Sequence, residues 1–80
     1  MTPRAELDSL MRLEKTVAKM HANDQLTRRF NSKAKIPELN FKRVAKTVAF
    51  RDWTLWDLEK LFTQAIRENR IHVSDGRFWA

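Results

Sequence analysis

Two histidines, His21 and His72, are the only side chains of this 80-residue chain suited to acid–base chemistry near neutral pH, since cysteine and tyrosine are absent. His21 has an acid close by in Asp24, but the pair lacks the nucleophile of a catalytic triad. A single glycine cannot form a Gly-rich phosphate loop, and no group of residues has metal-ligand spacing. We therefore expect no enzymatic activity, no metal and no cofactor.

Basic side chains offer a different chemistry, the binding of phosphates. Sixteen Lys and Arg against ten Asp and Glu give a net charge of +6. Residues 26–51 hold eight of the basic residues and a single acid, Glu38, while the segments on either side are close to neutral. Such a segment is either a solvated basic face or a docking surface for a polyanion. The predicted nucleic-acid-binding residues are Arg28, Arg29, Lys33, Lys35, Lys42, Arg43, Lys46 and Arg51.

Two tryptophans could provide a second binding surface. Trp53 lies in a predicted break between helices, and Trp56 falls outside the apolar stripe of the helix that follows. An exposed pair would anchor a protein interface or stack on bases, whereas a buried pair would cover the edge of a small core. With the neighbouring acid Asp57, these are the predicted partner-binding residues.

An N-terminal helix and a short second helix are the first elements that must position these side chains. Thr2 and Pro3 suit the start of a helix, which we expect to fade at residues 21–23. The apolar stripe of this helix consists of Leu7, Leu10, Leu13, Val17 and Met20. The stripe packs on the rest of the domain or, as a short coiled-coil seam, on a second copy.

The next segment is predicted to break and turn. Asn23-Asp24 should cap a short helix that holds Leu26 and Phe30. Residues 31–39 lose helical periodicity, and Pro37 forces an extended step, so they are predicted to form a basic loop.

Two further helices and a hairpin complete the prediction. Asn40 should cap a helix over residues 41–50, with Lys42, Arg43 and Lys46 on its solvent side. Its apolar face consists of Phe41, Val44, Ala45, Val48 and Ala49. Thr54, with Asp57 as the capping-box acid, should start a helix that runs to about residue 69. That helix has the strongest stripe in the chain, formed by Leu55, Leu58, Leu61, Phe62, Ala65 and Ile66.

The C-terminal segment changes from helical to strand periodicity. Apolar residues at 71–73 and 78–79 flank the sequence Ser74-Asp75-Gly76-Arg77. Asp-Gly between apolar runs predicts a tight hairpin turn with positive φ at Gly76.

Residues 41–60, FKRVAKTVAFRDWTLWDLEK, fit a helix-turn-helix pattern, with Ala49 where glycine is usual. Apolar or small residues occupy its structural positions, namely Val44, Ala45, Val48, Ala49, Leu55 and Leu58. With the hairpin as a wing, residues 41–80 resemble the winged helix-turn-helix superfamily of DNA-binding domains.

This resemblance implies that the second helix of the unit enters the major groove, with base contacts from Arg51, Trp53 and Trp56. Acids near the start of that helix, Asp52, Asp57 and Glu59, depart from the family pattern because they repel phosphates. Either the protein docks through its basic loop and preceding helix, or the unit binds a protein.

The sequence therefore predicts one small domain over residues 1–80, mainly α, with three to four short helices and a C-terminal β-hairpin, winged helix-turn-helix-like. Its parts are an N-terminal helix (1–22), a short helix with a basic loop (23–39), and a helix-turn-helix with a hairpin (40–80). We expect a small basic DNA-binding protein, a regulator of phage or plasmid type. The alternatives are an inhibitor or adaptor that binds an acidic host protein, and an RNA-binding protein.

Targeting segments are not evident in the sequence. No apolar region of a secretory signal and no run of about 18 apolar residues occurs. We expect a cytoplasmic protein without a membrane partner, either a monomer or a homodimer formed through the N-terminal helix.

Overall fold

The computed structural model describes residues 3–36, 39–74 and 77–79. Within these ranges the chain forms three helices followed by a two-stranded antiparallel hairpin. The elements are α1 (Pro3–Phe30), α2 (Phe41–Ala45), α3 (Leu55–Arg67), β1 (His72–Ser74) and β2 (Arg77–Trp79). The prediction of a mainly helical fold with a C-terminal hairpin is confirmed.

Helix α1 is a single helix of 28 residues, where the sequence predicted two. The predicted end at residues 21–23 is wrong, since Asn and Asp cost a helix interior only about 0.7 kcal/mol and no glycine or proline intervenes. The Thr27 hydroxyl donates a hydrogen bond to the Asn23 carbonyl oxygen (3.0 Å), and Asp24 is held by an arginine of α2. The predicted cap Thr2 lies outside the described residues.

The apolar stripe of α1 packs against the other elements of the same chain. Leu10, Leu13 and Val17 are at most 2 % exposed and belong to the core, and Met20 packs against it. The predicted alternative, a seam between two copies, is therefore excluded for these three buried residues. None of residues 18–30 is fully buried, and Met20 is the last residue of α1 that packs against the core.

Both predicted N-terminal caps in the second half of the chain are confirmed. The Asn40 side chain accepts a hydrogen bond from the Arg43 amide at the start of α2, at 3.1 Å. The Thr54 hydroxyl accepts one from the Asp57 amide at the start of α3, also at 3.1 Å. Each cap satisfies an amide that the first turn of a helix would otherwise leave without a partner.

Helix α2 ends after Ala45, so the predicted helix over residues 41–50 is wrong in its second half. A continuous helix would put Val48 above the buried Val44 and turn Phe50 away from it by about 120°. The chain instead turns over residues 46–53, which leaves Phe50 1 % exposed and Val48 80 % exposed. The phenylalanine displaces the valine from the core because its burial removes more apolar surface from water.

Helix α3 supplies the largest share of the core. Its buried residues are Leu58, Leu61, Phe62 and Ala65. The outer members of the predicted stripe, Leu55 and Ile66, are 64 % and 40 % exposed.

The helix ends at Arg67, two residues before the predicted end, and Asn69 takes a φ of 60°. The Arg70 amide donates to the Ala65 carbonyl (2.9 Å) and the Asn69 amide to the Ile66 carbonyl (3.1 Å). These two bonds form a Schellman cap that satisfies carbonyls at the end of α3.

The hairpin packs on the helices through its second strand. His72 pairs with Trp79, Val73 with Phe78 and Ser74 with Arg77. The centres of the Phe78 and Phe62 rings are 4.8 Å apart, and the Phe78 amide donates to the Leu39 carbonyl at 3.0 Å. The predicted Asp75-Gly76 turn lies outside the described residues.

Candidate nucleic-acid interface

Six of the eight predicted nucleic-acid-binding residues have exposed side chains. They are Arg29, Lys33, Lys35, Lys42, Lys46 and Arg51. None of them takes part in an ion pair among the described residues. Their charges are therefore turned to solvent, where they can meet an external anion.

Arg43 is held against α1. Its guanidinium nitrogens donate to both carboxylate oxygens of Asp24, at 2.9 and 3.1 Å. The two side chains are only 25 % and 14 % exposed, so the predicted orientation of Arg43 toward solvent is wrong. The hydrogen bond with Asp24 raises the pKa of Arg43 further above its ordinary value, at which a guanidinium is already charged.

This ion pair brings two basic segments to one part of the molecule. It fastens α2, with the exposed Lys42 on the helix and the exposed Lys46 directly after it, to the second half of α1. Arg28 follows Asp24 by one turn on the same helix face and is half-buried. We call this region the basic end, which comprises Arg28, Arg29, Lys33, Lys35, Lys42 and Lys46.

Within the described residues, the basic end carries little negative charge of its own. Among its described neighbours over residues 24–36 and 39–46, Asp24 is the only acid, and Arg43 neutralises it. The cations come from three segments, namely the end of α1, the loop that follows it, and α2 with its C-terminal cap. A surface of this kind attracts a polyanion such as a phosphate backbone.

Arg51 lies in the turn that follows α2, where its amide donates to the Thr47 carbonyl at 2.8 Å, so its backbone is close to that of Lys46. Arg51 precedes Trp53 by two residues, and Trp53 lines a groove with Glu6 in the first turn of α1. The turn after α2 therefore runs from Lys46, in the basic end, toward the first turn of α1.

The two predicted partner-binding tryptophans have different environments. Trp53 is half-buried and packs against the core. Its ring meets the Phe50 ring edge-on, with 5.2 Å between the ring centres. Trp56 is 66 % exposed, and the Lys60 amine lies 4.9 Å from the centre of its ring. The expected patch of two exposed tryptophans is therefore reduced to Trp56, with Asp57 exposed beside it.

The outward face of α3 carries polar residues that the sequence reading did not single out. Lys60, Thr63 and Arg67 follow Trp56 at helical spacing and line a groove of about 450 Å³ with it. The same groove includes Glu59 and Glu68, so its charges are mixed. This face could have been predicted from the polar residues that lie between the apolar stripe residues of α3 in the sequence.

Two apolar side chains of α1 are exposed where the sequence predicted a separate short helix. Leu26 is 50 % and Phe30 83 % exposed, because the unbroken helix turns them away from the buried stripe. Their positions follow directly from the continuation of α1 through residues 23–24.

Comparisons with known proteins give no information about the candidate interface. No family model matches the chain, and no curated protein or solved structure is significantly similar to it. None of the helices in the described ranges is long and apolar enough to cross a lipid bilayer. No group of three or more His, Asp or Glu side chains capable of holding a metal ion occurs in the described part of the chain.

Proposed function

We propose that the protein binds nucleic acid, with DNA as the first candidate, by holding phosphates at the basic end. The observation that carries the proposal is a set of cations from three segments whose one described acid, Asp24, is already neutralised by Arg43. An internal ion pair that removes the local negative charge favours an external anion at the remaining cations.

The proposed contact is electrostatic and therefore depends on salt. Each phosphate that the protein neutralises releases counterions, and the slope of log affinity against log salt is about −0.9 per contact for duplex DNA. Four contacts at the basic end would give a slope of about −3.6, which is large enough to measure.

The winged helix-turn-helix resemblance adds a separate part to the proposal. Helices α2 and α3 and the hairpin follow in the order of that superfamily, but residues 46–54 form a longer link than its tight turn. If the protein binds DNA as a winged helix-turn-helix domain does, the outward face of α3 enters the major groove. The double variant Lys60→Gln with Arg67→Gln should then have a lower affinity for DNA. If α3 takes no part, this double variant binds DNA like the parent.

A matched pair of double variants tests the main proposal. Lys33→Gln with Lys35→Gln removes two charges from the basic end, and Arg12→Gln with Lys15→Gln removes two exposed charges from the other half of α1. Fluorescence anisotropy with duplex DNA and with RNA, over a series of salt concentrations, gives each slope. The first variant should lower affinity and flatten the slope, whereas the second should change both much less. Equal effects of the two variants would mean that net charge alone governs binding.

A protein-binding inhibitor or adaptor is the second candidate, and the exposure of neighbouring apolar side chains on α3 favours it. Leu55 and Trp56 are 64 % and 66 % exposed at the start of that helix, where aromatic anchors of protein interfaces are common. In this case Trp56→Ala abolishes retention of the protein partner and leaves nucleic-acid affinity unchanged. Loss of nucleic-acid affinity in that variant, with partner retention intact, would contradict the second candidate.

A further inference from the structure

Phe30, the last residue of α1, is an aromatic side chain that the fold leaves uncovered. It is 83 % exposed, more than any other large apolar side chain in the described part of the chain. Leu26, one turn earlier on the same helix face, is 50 % exposed. The core of the protein uses neither side chain, so their apolar surface is available to a ligand.

Polar residues continue the line of these two side chains along α1. Lys19, Asn23, Leu26 and Phe30 are spaced by four, three and four residues, which places them in one row on the face opposite the buried stripe. The row is about 16 Å long at 1.5 Å per residue. Lys19, Asn23 and Leu26 also line a shallow groove of about 440 Å³.

Cations of the basic end are close to Phe30 in the chain. Arg29 directly precedes Phe30, and Lys33 and Lys35 follow it in the loop, whereas Arg28 lies on the opposite face of the helix, the face of Asp24. An aromatic platform among cations is the arrangement by which proteins bind single-stranded nucleic acid, because bases stack on the ring while phosphates meet the charges.

Trp56 does not offer the same arrangement. The Lys60 amine already lies over its ring, at 4.9 Å from the centre, and the exposed acids Asp57 and Glu59 are its neighbours in α3. A nucleic-acid strand at Trp56 would bring its phosphates close to those acids. The charges around Phe30 are complementary to such a strand, whereas they would repel the same basic end of a second copy.

We propose that Phe30 stacks on an unpaired base, and that the basic end therefore prefers nucleic acid with unpaired nucleotides to an uninterrupted duplex. This inference rests on the proposed function, since the cations hold the phosphates on either side of the stacked base. The unpaired base can belong to DNA or to RNA, because both present the same π face.

The test separates stacking from charge. The ligands are labelled strands of about twelve nucleotides, within the range of known site sizes: oligo(dT), oligo(U), a strand without bases, and a duplex of equal length. The variants are Phe30→Ala, Phe30→Leu, which keeps an apolar side chain without a ring, and Phe30→Trp, which keeps a ring. Lys33→Gln with Lys35→Gln serves as the charge variant.

Loss of the ring should weaken binding only where bases can stack. We expect Phe30→Ala and Phe30→Leu to bind oligo(dT) or oligo(U) about tenfold more weakly, with an unchanged salt slope and unchanged affinity for the base-free strand and the duplex. Phe30→Trp should bind like the parent. Because the side chain is exposed, thermal unfolding followed by circular dichroism should be the same for all three variants.

The outcomes that overturn the inference differ from those that overturn the proposed function. If the charge variant weakens binding but Phe30→Ala does not, the stacking role is wrong and the proposed function stands. An equal loss for the base-free strand, or a loss of self-association in sedimentation, would assign Phe30 to another occupant and also overturn the inference. If no strand and no duplex binds with a measurable salt slope, both are wrong.

Discussion

Asp24→Asn should lower the stability of the fold and at the same time strengthen nucleic-acid binding. The Asp24 carboxylate accepts both hydrogen bonds from Arg43 and joins α2 to α1 across 19 residues of sequence. Its replacement by a neutral amide removes the negative charge that Arg43 contacts and reduces the ion pair to a weaker, neutral hydrogen bond. The same replacement removes the one described acid next to the basic end.

The size of the stability change follows from the burial of the pair. Exposed ion pairs contribute about 0.2–1 kcal/mol, and breaking a fully buried pair costs about 3–5 kcal/mol. With side chains 25 % and 14 % exposed, this pair lies between the two limits, and we expect a loss of about 1–2 kcal/mol. For a domain of this size, that loss lowers the melting temperature by about 5–15 °C.

A double-mutant cycle measures the interaction itself. Asp24→Asn, Arg43→Gln and the combined variant are compared by urea unfolding at neutral pH, where the coupling energy should be about 1 kcal/mol. The anisotropy assay on the same Asp24→Asn protein should give about threefold tighter binding, since a charge about 7 Å from a phosphate contributes about 0.6 kcal/mol in water.

Two results would refute this reasoning. A coupling energy near zero would mean that the Asp24–Arg43 pair does not fasten α2 to α1. Unchanged or weaker nucleic-acid binding by a folded Asp24→Asn protein would mean that phosphates do not approach this part of the molecule.

Three further predictions concern the core, the tryptophans and the end of α3. Each is a change in the free energy of unfolding, measured by urea denaturation with an unchanged m-value. Phe50→Ala should lose about 3–5 kcal/mol, and Val48→Ala less than about 0.5 kcal/mol; equal losses would contradict the turn after α2. Trp53→Ala should lower the free energy of unfolding by about 2 kcal/mol. Trp56→Ala should lower it by at most about 1 kcal/mol, because only the cation–π contact with Lys60 is lost. Asn69→Gly should be neutral or stabilising and Asn69→Val should lose at least about 1 kcal/mol, because positive φ disfavours a β-branched residue.

The sequence predicted the features that depend on neighbouring residues. The caps at Asn40 and Thr54 need only an acceptor side chain and an amide three residues later, and both form as expected. The stripe of α3 and the pairing of β1 with β2 are likewise local patterns, which the structure reproduces in all but their outermost positions.

The features that the sequence did not predict depend on distant partners. Asp24 favours a helix break on its own, and only the contact with Arg43 shows that it has a role inside α1. Val48 fits a continued helix better than Phe50, but Phe50 is the buried one of the two because its burial removes more apolar surface from water. The exposure of Phe30 follows from the first of these, since it depends on α1 remaining unbroken.

Only part of the candidate interface could be predicted from the sequence, because its geometry also depends on contacts between distant residues. The basic composition of residues 26–51 is visible in the sequence, but its division into the basic end, the paired Arg43 and Arg51 in the turn after α2 requires the fold. The location of phosphates at this end stays a prediction.

The salt dependence of nucleic-acid binding tests the central proposal most directly. Parent and a variant with Arg29, Lys33, Lys35 and Lys42 changed to glutamine are titrated against duplex and single-stranded DNA at several salt concentrations. These four side chains are exposed, so the variant should remain folded. The proposal predicts that the magnitude of the slope falls by about 0.9 per lost contact for the duplex and by about 0.7 for the single strand. A slope that is the same in parent and variant would contradict nucleic-acid binding at the basic end.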